Sequence, residues 1–254
     1  MEKGLGMKKL LEISGLYKKY NPKDDYTIKN INMYGNAGEI VGILGHNGAG
    51  KSTTIKCITG MHPFEEGKIE IAEFDLKSNP IEAKKNFGYV SDEFALFDKM
   101  TGFEYVNFLA DIYGVSVEER TERIESFQNI FALGKAIYEQ ISSYSHGMKQ
   151  KISIMGALIH NPKVFVLDEP MTGLDPYTTN QLKKYFVEHS KQNNLVLFSS
   201  HNLDVVEKLC DRVYIIDQGV VLEEINLKEF RKKGKDLEEY FLSFTNKVSK
   251  NEYI

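Results

Sequence analysis

The run Glu39-Ile40-Val41-Gly42-Ile43-Leu44-Gly45-His46-Asn47-Gly48-Ala49-Gly50-Lys51-Ser52 constrains this chain more than any other stretch. A short apolar segment flows into a loop that fits G-x-x-x-x-G-K-[ST] at every required position. Lys51 to Thr59 then has helical character. Strand, glycine loop and helix in that order are the context of a phosphate-binding loop. The glycines let backbone N–H groups turn inward around phosphate oxygens, and the helix adds the positive end of its dipole. On this reading Gly45, His46, Asn47, Gly48, Ala49, Gly50, Lys51, Ser52 and Thr53 form the nucleotide-binding segment. Lys51 supplies a cation at the β- and γ-phosphates, and the Ser52 hydroxyl ligates Mg²⁺. His46 and Asn47 fill free positions of the motif, and His46 is expected to face solvent rather than to act in catalysis.

A second segment completes that chemistry. Val164-Phe165-Val166-Leu167-Asp168-Glu169-Pro170 is an apolar strand ending in two carboxylates. Asp168 can hold Mg²⁺ directly or through water. Glu169 stands where a base can polarise an attacking water. Two acids at a strand end are often a solvated rim; beside a phosphate loop they point to ATP hydrolysis.

The remaining pattern is that of an α/β chain. Lys9 to Tyr17 and Thr27 to Met33 read as early strands around the turn-rich Tyr20-Asn21-Pro22-Lys23-Asp24-Asp25. Phe87 to Val90 is a further short strand. Leu195 to Phe198 and Val213 to Ile216, with Val164 to Leu167, are continuous apolar runs, as parallel strands covered on both faces require. From about Thr101 to Ile159 the period becomes helical, through Phe103, Val106, Phe108, Leu109 and Ile112 and then Glu118 to Phe131. The length of 254 residues suits one domain, and a net charge of −4 makes no case for nucleic-acid binding. Cys57 and Cys210 lack the spacing of a zinc site or disulfide framework and read as buried small side chains. No stretch approaches the roughly 18 apolar residues of a membrane span, and the charged start is not a signal peptide. A cytoplasmic protein is expected, with Met7 as an alternative start after a disordered extension.

Further motifs give the sequence a resemblance to the nucleotide-binding subunit of an ABC transporter, from about Leu10 to Gly219. Ser142-Ser143-Tyr144-Ser145-His146-Gly147-Met148-Lys149-Gln150 is similar to the family signature. Gly173-Leu174-Asp175-Pro176 is similar to the loop after the second acidic motif, and Ser199-Ser200-His201 to the switch-histidine segment. The resemblance implies a RecA-like core with a mostly parallel sheet (residues 7–92 and 156–225), an N-terminal antiparallel β subdomain, an inserted helical subdomain (93–155) and a short tail (226–254). It implies a head-to-tail dimer, a homodimer with a heterodimer as the alternative, with two ATP molecules held between subunits. Ser145, Gly147 and Asp175 would then bind nucleotide across the interface. His201 would sense the γ-phosphate, Tyr20 would stack on adenine with Tyr17 and Tyr26 as nearby rivals, and a separate membrane permease would hold the ATPase at the inner face of the membrane. A serine opening a helix suits a phosphate, although Ser145 alone reads equally as an N-cap.

Two positions depart from the family. His146 replaces the first signature glycine and Tyr144 a leucine, which restricts the backbone and adds bulk. The family's Gln after the strand at Phe87–Val90 is here Ser91-Asp92-Glu93; Asp92 is the counterpart that would reach Mg²⁺ and the permease, with Glu93 as the rival. The segment Asp236 to Leu242 resembles the short end of bacterial drug- and bacitracin-resistance exporter subunits, which favours export. An importer subunit remains an alternative. A non-transport ABC ATPase is disfavoured, because neither a long coiled-coil insertion nor a second cassette is present.

Overall fold

The computed structural model describes residues 8–234, 236–241 and 243 of the 254. Expectations for Met1 to Met7, and for the tail at Phe244 and beyond, lie outside the described residues. The chain opens with β1 (Lys9–Lys18), β2 (Ile28–Asn36) and β3 (Ile40–Leu44), and the phosphate loop then leads into α1 (Lys51–Ile58). Next come β4 (Glu66–Ile71), β5 (Phe74–Asp75), α2 (Pro80–Lys85) and β6 (Phe87–Val90). Three helices follow, α3 (Gly102–Ile112), α4 (Val117–Phe131) and α5 (His146–Leu158), with two 3₁₀ turns before α5. The rest alternates: β7 (Val164–Leu167), α6 (Pro176–Lys191), β8 (Leu195–Ser200), α7 (Leu203–Leu209), β9 (Arg212–Asp217), β10 (Val220–Asn226) and α8 (Leu227–Lys232).

The strands form an antiparallel sheet, β2-β1-β4-β5, and a mostly parallel sheet, β10-β9-β3-β8-β7-β6. Only the β9–β10 pair of the second sheet is antiparallel. The apolar runs of the parallel strands have a direct cause. Side chains alternate faces along a strand. Phe165 and Leu167 of β7, with Val196 and Phe198 of β8, enter one core with α3 to α7. Val164, Val166, Leu195 and Leu197 enter another, against α1 and the antiparallel sheet. Burial on both faces therefore calls for apolar residues at both sets of positions in these stretches.

The inserted helices are stopped and started locally. Thr101 accepts from the Glu104 N–H while the Glu104 carboxylate accepts from the Thr101 N–H, a reciprocal cap for α3. Ser116 caps α4 by accepting from the Glu119 N–H. Tyr144, which departs from the family's leucine, keeps a buried ring and donates its hydroxyl to the Ala136 carbonyl at 2.6 Å. Both cysteines are buried and free, and burial pushes the Cys57 thiol up to about 12. Leu237 is buried, and Tyr240 packs edge-on against Phe230 at 5.2 Å.

The sequence pattern left β4, β5 and β10 unassigned. β4 carries Gly67 and Lys68, β5 has two residues, and β10 is an edge strand with Glu223 and Glu224 adjacent, so none shows a clean apolar period.

Candidate nucleotide site

The parallel sheet sets five loops in a row along the carboxyl ends of its strands. β9 delivers Asp217, β3 the phosphate loop, β8 Ser199 to His201, β7 Asp168 and Glu169, and β6 Ser91 and Asp92. Ligands of open α/β sheets gather at this edge, where helix N-termini and loop N–H groups converge.

Gly50 ends the phosphate loop at φ +105°, a conformation that glycine adopts without strain, and caps α1. The Lys51 ammonium is buried and donates to the Gly45 and His46 carbonyls at 2.9 and 3.1 Å. It also lies 3.6 Å from Glu169 Oε1. Asn47, Gly48, Lys51, Ser52, Asp92 and Glu169 line a cavity of about 370 Å³, with Thr27, Gly50 and Thr53 on its wall. Its lining joins the Lys51 cation to the Asp92 and Glu169 carboxylates.

Asp168 is fully buried at the end of β7. Burial pushes its carboxyl above the usual range, and the bonded Ser199 hydroxyl, with that of Ser52 nearby, opposes that rise. Its Oδ1 accepts from Ser199 Oγ at 2.5 Å, whereas its Oδ2 is buried without a partner. An orphaned carboxylate oxygen beside the Ser52 hydroxyl is a hard-oxygen donor set that fits Mg²⁺. Glu169 adopts φ +47° and bonds His201 Nδ1 through Oε2 at 3.0 Å. His201 itself is exposed towards a second cavity of about 220 Å³, shared with Asn47, Asp92, His146, Gln150 and Glu169.

The structure thus brings together Lys51, Ser52, Asp168, Glu169 and His201, with Asp92 on the same rim. Tyr20 Oη lies 3.1 Å from Thr53 Oγ1, at the first turn of α1, and the ring is half-exposed. The nearby Tyr17 and Tyr26 pack edge-on against each other at 5.2 Å, and Tyr26 donates to Glu66. Ser145, Gly147 and Asp175 sit elsewhere, at helix starts. Ser145 caps α5 by accepting from the Met148 N–H at 3.3 Å. Gly147 lies in the first turn of α5. Asp175 caps α6, taking the Thr178 N–H and hydroxyl at 2.8 and 2.6 Å, which hold its carboxyl down to about 2.

The position of His146 explains how the chain accommodates it. The ring packs on Phe94 at 4.9 Å and covers Gly173, where an added Cβ would meet the imidazole at 2.3 Å. His46 is exposed, as expected, and its ring is also held at both nitrogens. Its Nδ1 meets the Asn47 carbonyl at 2.6 Å and its Nε2 the Asp217 carboxylate at 2.5 Å. Two acceptors favour the doubly protonated ring; the Asn47 carbonyl leads in raising its pKa, with Asp217 assisting. Asp217 was missed from the sequence, and its one signal was an acid at a strand end.

The ABC transporter family model matches residues 28–172. The chain belongs to the ABC transporter family. It is 33% identical to the ABC transporter ATP-binding protein NatA of Bacillus subtilis strain 168 over 219 residues, 85% of this chain and 89% of that protein. It is 32% identical over 243 residues to the bacitracin transport ATP-binding protein BcrA of Bacillus licheniformis, covering 95% and 78% of the two chains. It is 30% identical over 246 residues to the methionine import ATP-binding protein MetN of Clostridium acetobutylicum, covering 95% and 73%. A solved ATP-binding subunit of an ABC transporter superposes with a TM-score of 0.87 at 30% identity, covering 93% of this chain and 99% of that one. The chain is therefore an ABC transporter ATP-binding subunit with the α/β architecture of these cassettes. Among the described residues, no helix is long and apolar enough to cross a membrane.

Proposed function

We propose that this ABC subunit binds and hydrolyses ATP to drive export through a separate membrane permease. The carrying observation is that Lys51, Ser52 and Glu169 line one cavity, with Asp168 buried beside Ser52 and His201 bonded to Glu169 from a second cavity that shares Glu169. Lys51 exchanges its loop carbonyls and Glu169 for the β/γ-phosphates. Glu169 accepts a proton from the attacking water, and His201, hydrogen-bonded to it, senses the γ-phosphate. Ser52, Asp168 and Asp92 would hold Mg²⁺, which when bound neutralises charge on the phosphate oxygens. Two copies close head to tail, so that Ser145 and Gly147 of one face the phosphate loop of the other, with Asp175 beside them. Residues 93–155 serve as the helical subdomain and 226–254 as a tail. The subunit works at the cytoplasmic face of the membrane, held there by its permease.

Export over import is supported by the likeness to the bacitracin transport protein; the likeness to a methionine import protein speaks for the other direction. Two measurements test the reading: Mg²⁺-dependent phosphate release by the purified chain, and vectorial transport in vesicles carrying the chain with its co-purifying membrane protein. Accumulation on the ATP side of the membrane would reverse the direction.

Tyr20→Ala should weaken ATP by about 1–2 kcal/mol, the scale of a base stacked on an aromatic ring. Calorimetry with Tyr26→Ala alongside decides it; a loss confined to Tyr26→Ala would move the adenine to the other tyrosine. Asp92→Asn should chiefly shift the Mg²⁺ dependence of turnover and its coupling to the permease, leaving ATP affinity little changed. Asp offers a short charged arm where a longer neutral one is usual, so it would reach Mg²⁺ through water. Superimposable Mg²⁺ titrations of wild type and Asp92→Asn, with and without permease, would reduce Asp92 to a loop residue.

A further inference from the structure

Ser199 is fully buried at the end of β8, beside the two acids that follow β7. Its hydroxyl makes two bonds. The Glu169 backbone N–H donates to Ser199 Oγ at 2.9 Å, and Ser199 Oγ donates to Asp168 Oδ1 at 2.5 Å. The direction of each is fixed. An N–H can only donate, so the oxygen accepts there and its single proton goes to Asp168. The neighbouring Ser200 does something different: its oxygen accepts from the Asn202 N–H at 3.0 Å, in the turn that enters α7. Adjacent strand residues face opposite sides, so only one of the two serines can reach the acids.

Two consequences follow at the acids. Asp168 has two oxygens in a fully buried site. Ser199 occupies Oδ1, and Oδ2 is left partnerless. Glu169 sits at φ +47°, a region non-glycine residues rarely adopt. Its N–H is anchored to Ser199, and its carboxylate faces His201 and Lys51.

We propose that Ser199 is a positioning residue for nucleotide hydrolysis: it assigns Asp168 Oδ1 to itself and Oδ2 to the cation, and it pins the 168–169 peptide in the turn that presents Glu169 to water. Without the hydroxyl, the Asp168 carboxylate is free to rotate and the Glu169 N–H loses its acceptor. The inference rests on the ATP-hydrolysing reading given above.

The test pairs Ser199→Ala with Ser199→Thr, which restores the hydroxyl. The affinity of a non-hydrolysable ATP analogue is measured by calorimetry with and without Mg²⁺, next to steady-state turnover and thermal melting. Ser199→Ala should bind the Mg²⁺-free analogue within twofold of wild type. The gain in affinity on adding Mg²⁺ should shrink about tenfold, and kcat should fall about tenfold or more. Ser199→Thr should recover both to within threefold. A Ser199→Ala protein with the wild-type Mg²⁺ gain and kcat overturns the proposal. So does equal loss in Ser199→Ala and Ser199→Thr, or a parallel loss of Mg²⁺-free affinity, because either marks a packing role. A wild-type chain that binds no analogue in either condition overturns the parent reading together with this one.

Discussion

Glu169→Gln should keep nucleotide binding and lose ATP turnover by about 10²–10⁴-fold, the range for loss of a general base. Glutamine matches glutamate in shape and can still pair with His201, which meets Oε2 at 3.0 Å in the wild type. It cannot take a proton from water. The carboxylate also lies 3.6 Å from the buried Lys51 ammonium. Removing that charge leaves Lys51 without its competing anion, so ATP affinity should hold or rise. Turnover that stops after binding should also accumulate the closed dimer. Phosphate release and size-exclusion chromatography in ATP read both effects. Steady-state activity within about threefold of wild type would remove Glu169 from the chemistry and return it to the role of an acid at a strand end.

What was legible in the sequence follows from where each signal is local. The phosphate loop lies within eight consecutive residues, and Asp168 and Glu169 adjoin an apolar run, so composition and spacing suffice. The parallel strands were legible because two-sided burial leaves no polar residue in Val164–Leu167 or Leu195–Phe198. Contacts across long stretches of chain left no such trace. His46 and Asp217 stand 171 positions apart, and Ser199 and Asp168 stand 31 apart. Tyr17, Tyr20 and Tyr26 are chemically alike, and packing alone separates the one beside Thr53 from the pair that face each other. The edge strand β10 was hidden by its glutamates. Glu224 is tied to Arg212, which also holds Glu39 at 3.0 Å and Tyr34, so the charge that disguised the strand pairs inside the fold.

The turn between β9 and β10 carries the second large effect. Gly219→Ala should lower stability by about 2–5 kcal/mol and ATP affinity with it. Gly219 has φ +76°, and an added Cβ would lie 1.9 Å from the Thr27 carbonyl oxygen. The left-handed backbone alone costs about 1–2 kcal/mol for an L-residue, and forced overpacking adds about 1–3 kcal/mol. The obstacle is backbone, so no rotamer change relieves it. Neighbouring bonds would carry the shift into the site. The Gly219 N–H donates to the Ala49 carbonyl at 3.0 Å, and its own carbonyl accepts from the Lys29 N–H at 2.8 Å. Moving the turn therefore moves the phosphate loop and the start of β2 together. Gly114→Ala supplies the control: Gly114 has φ +67° with nothing within 4 Å of an added Cβ, so only the backbone cost of about 1–2 kcal/mol applies. Thermal melting should place Gly219→Ala on the order of 10 °C below wild type and Gly114→Ala closer to it, with ATP affinity reduced only in the former. Equal melting shifts and equal ATP affinity in the two variants would mean that the turn yields without disturbing the phosphate loop.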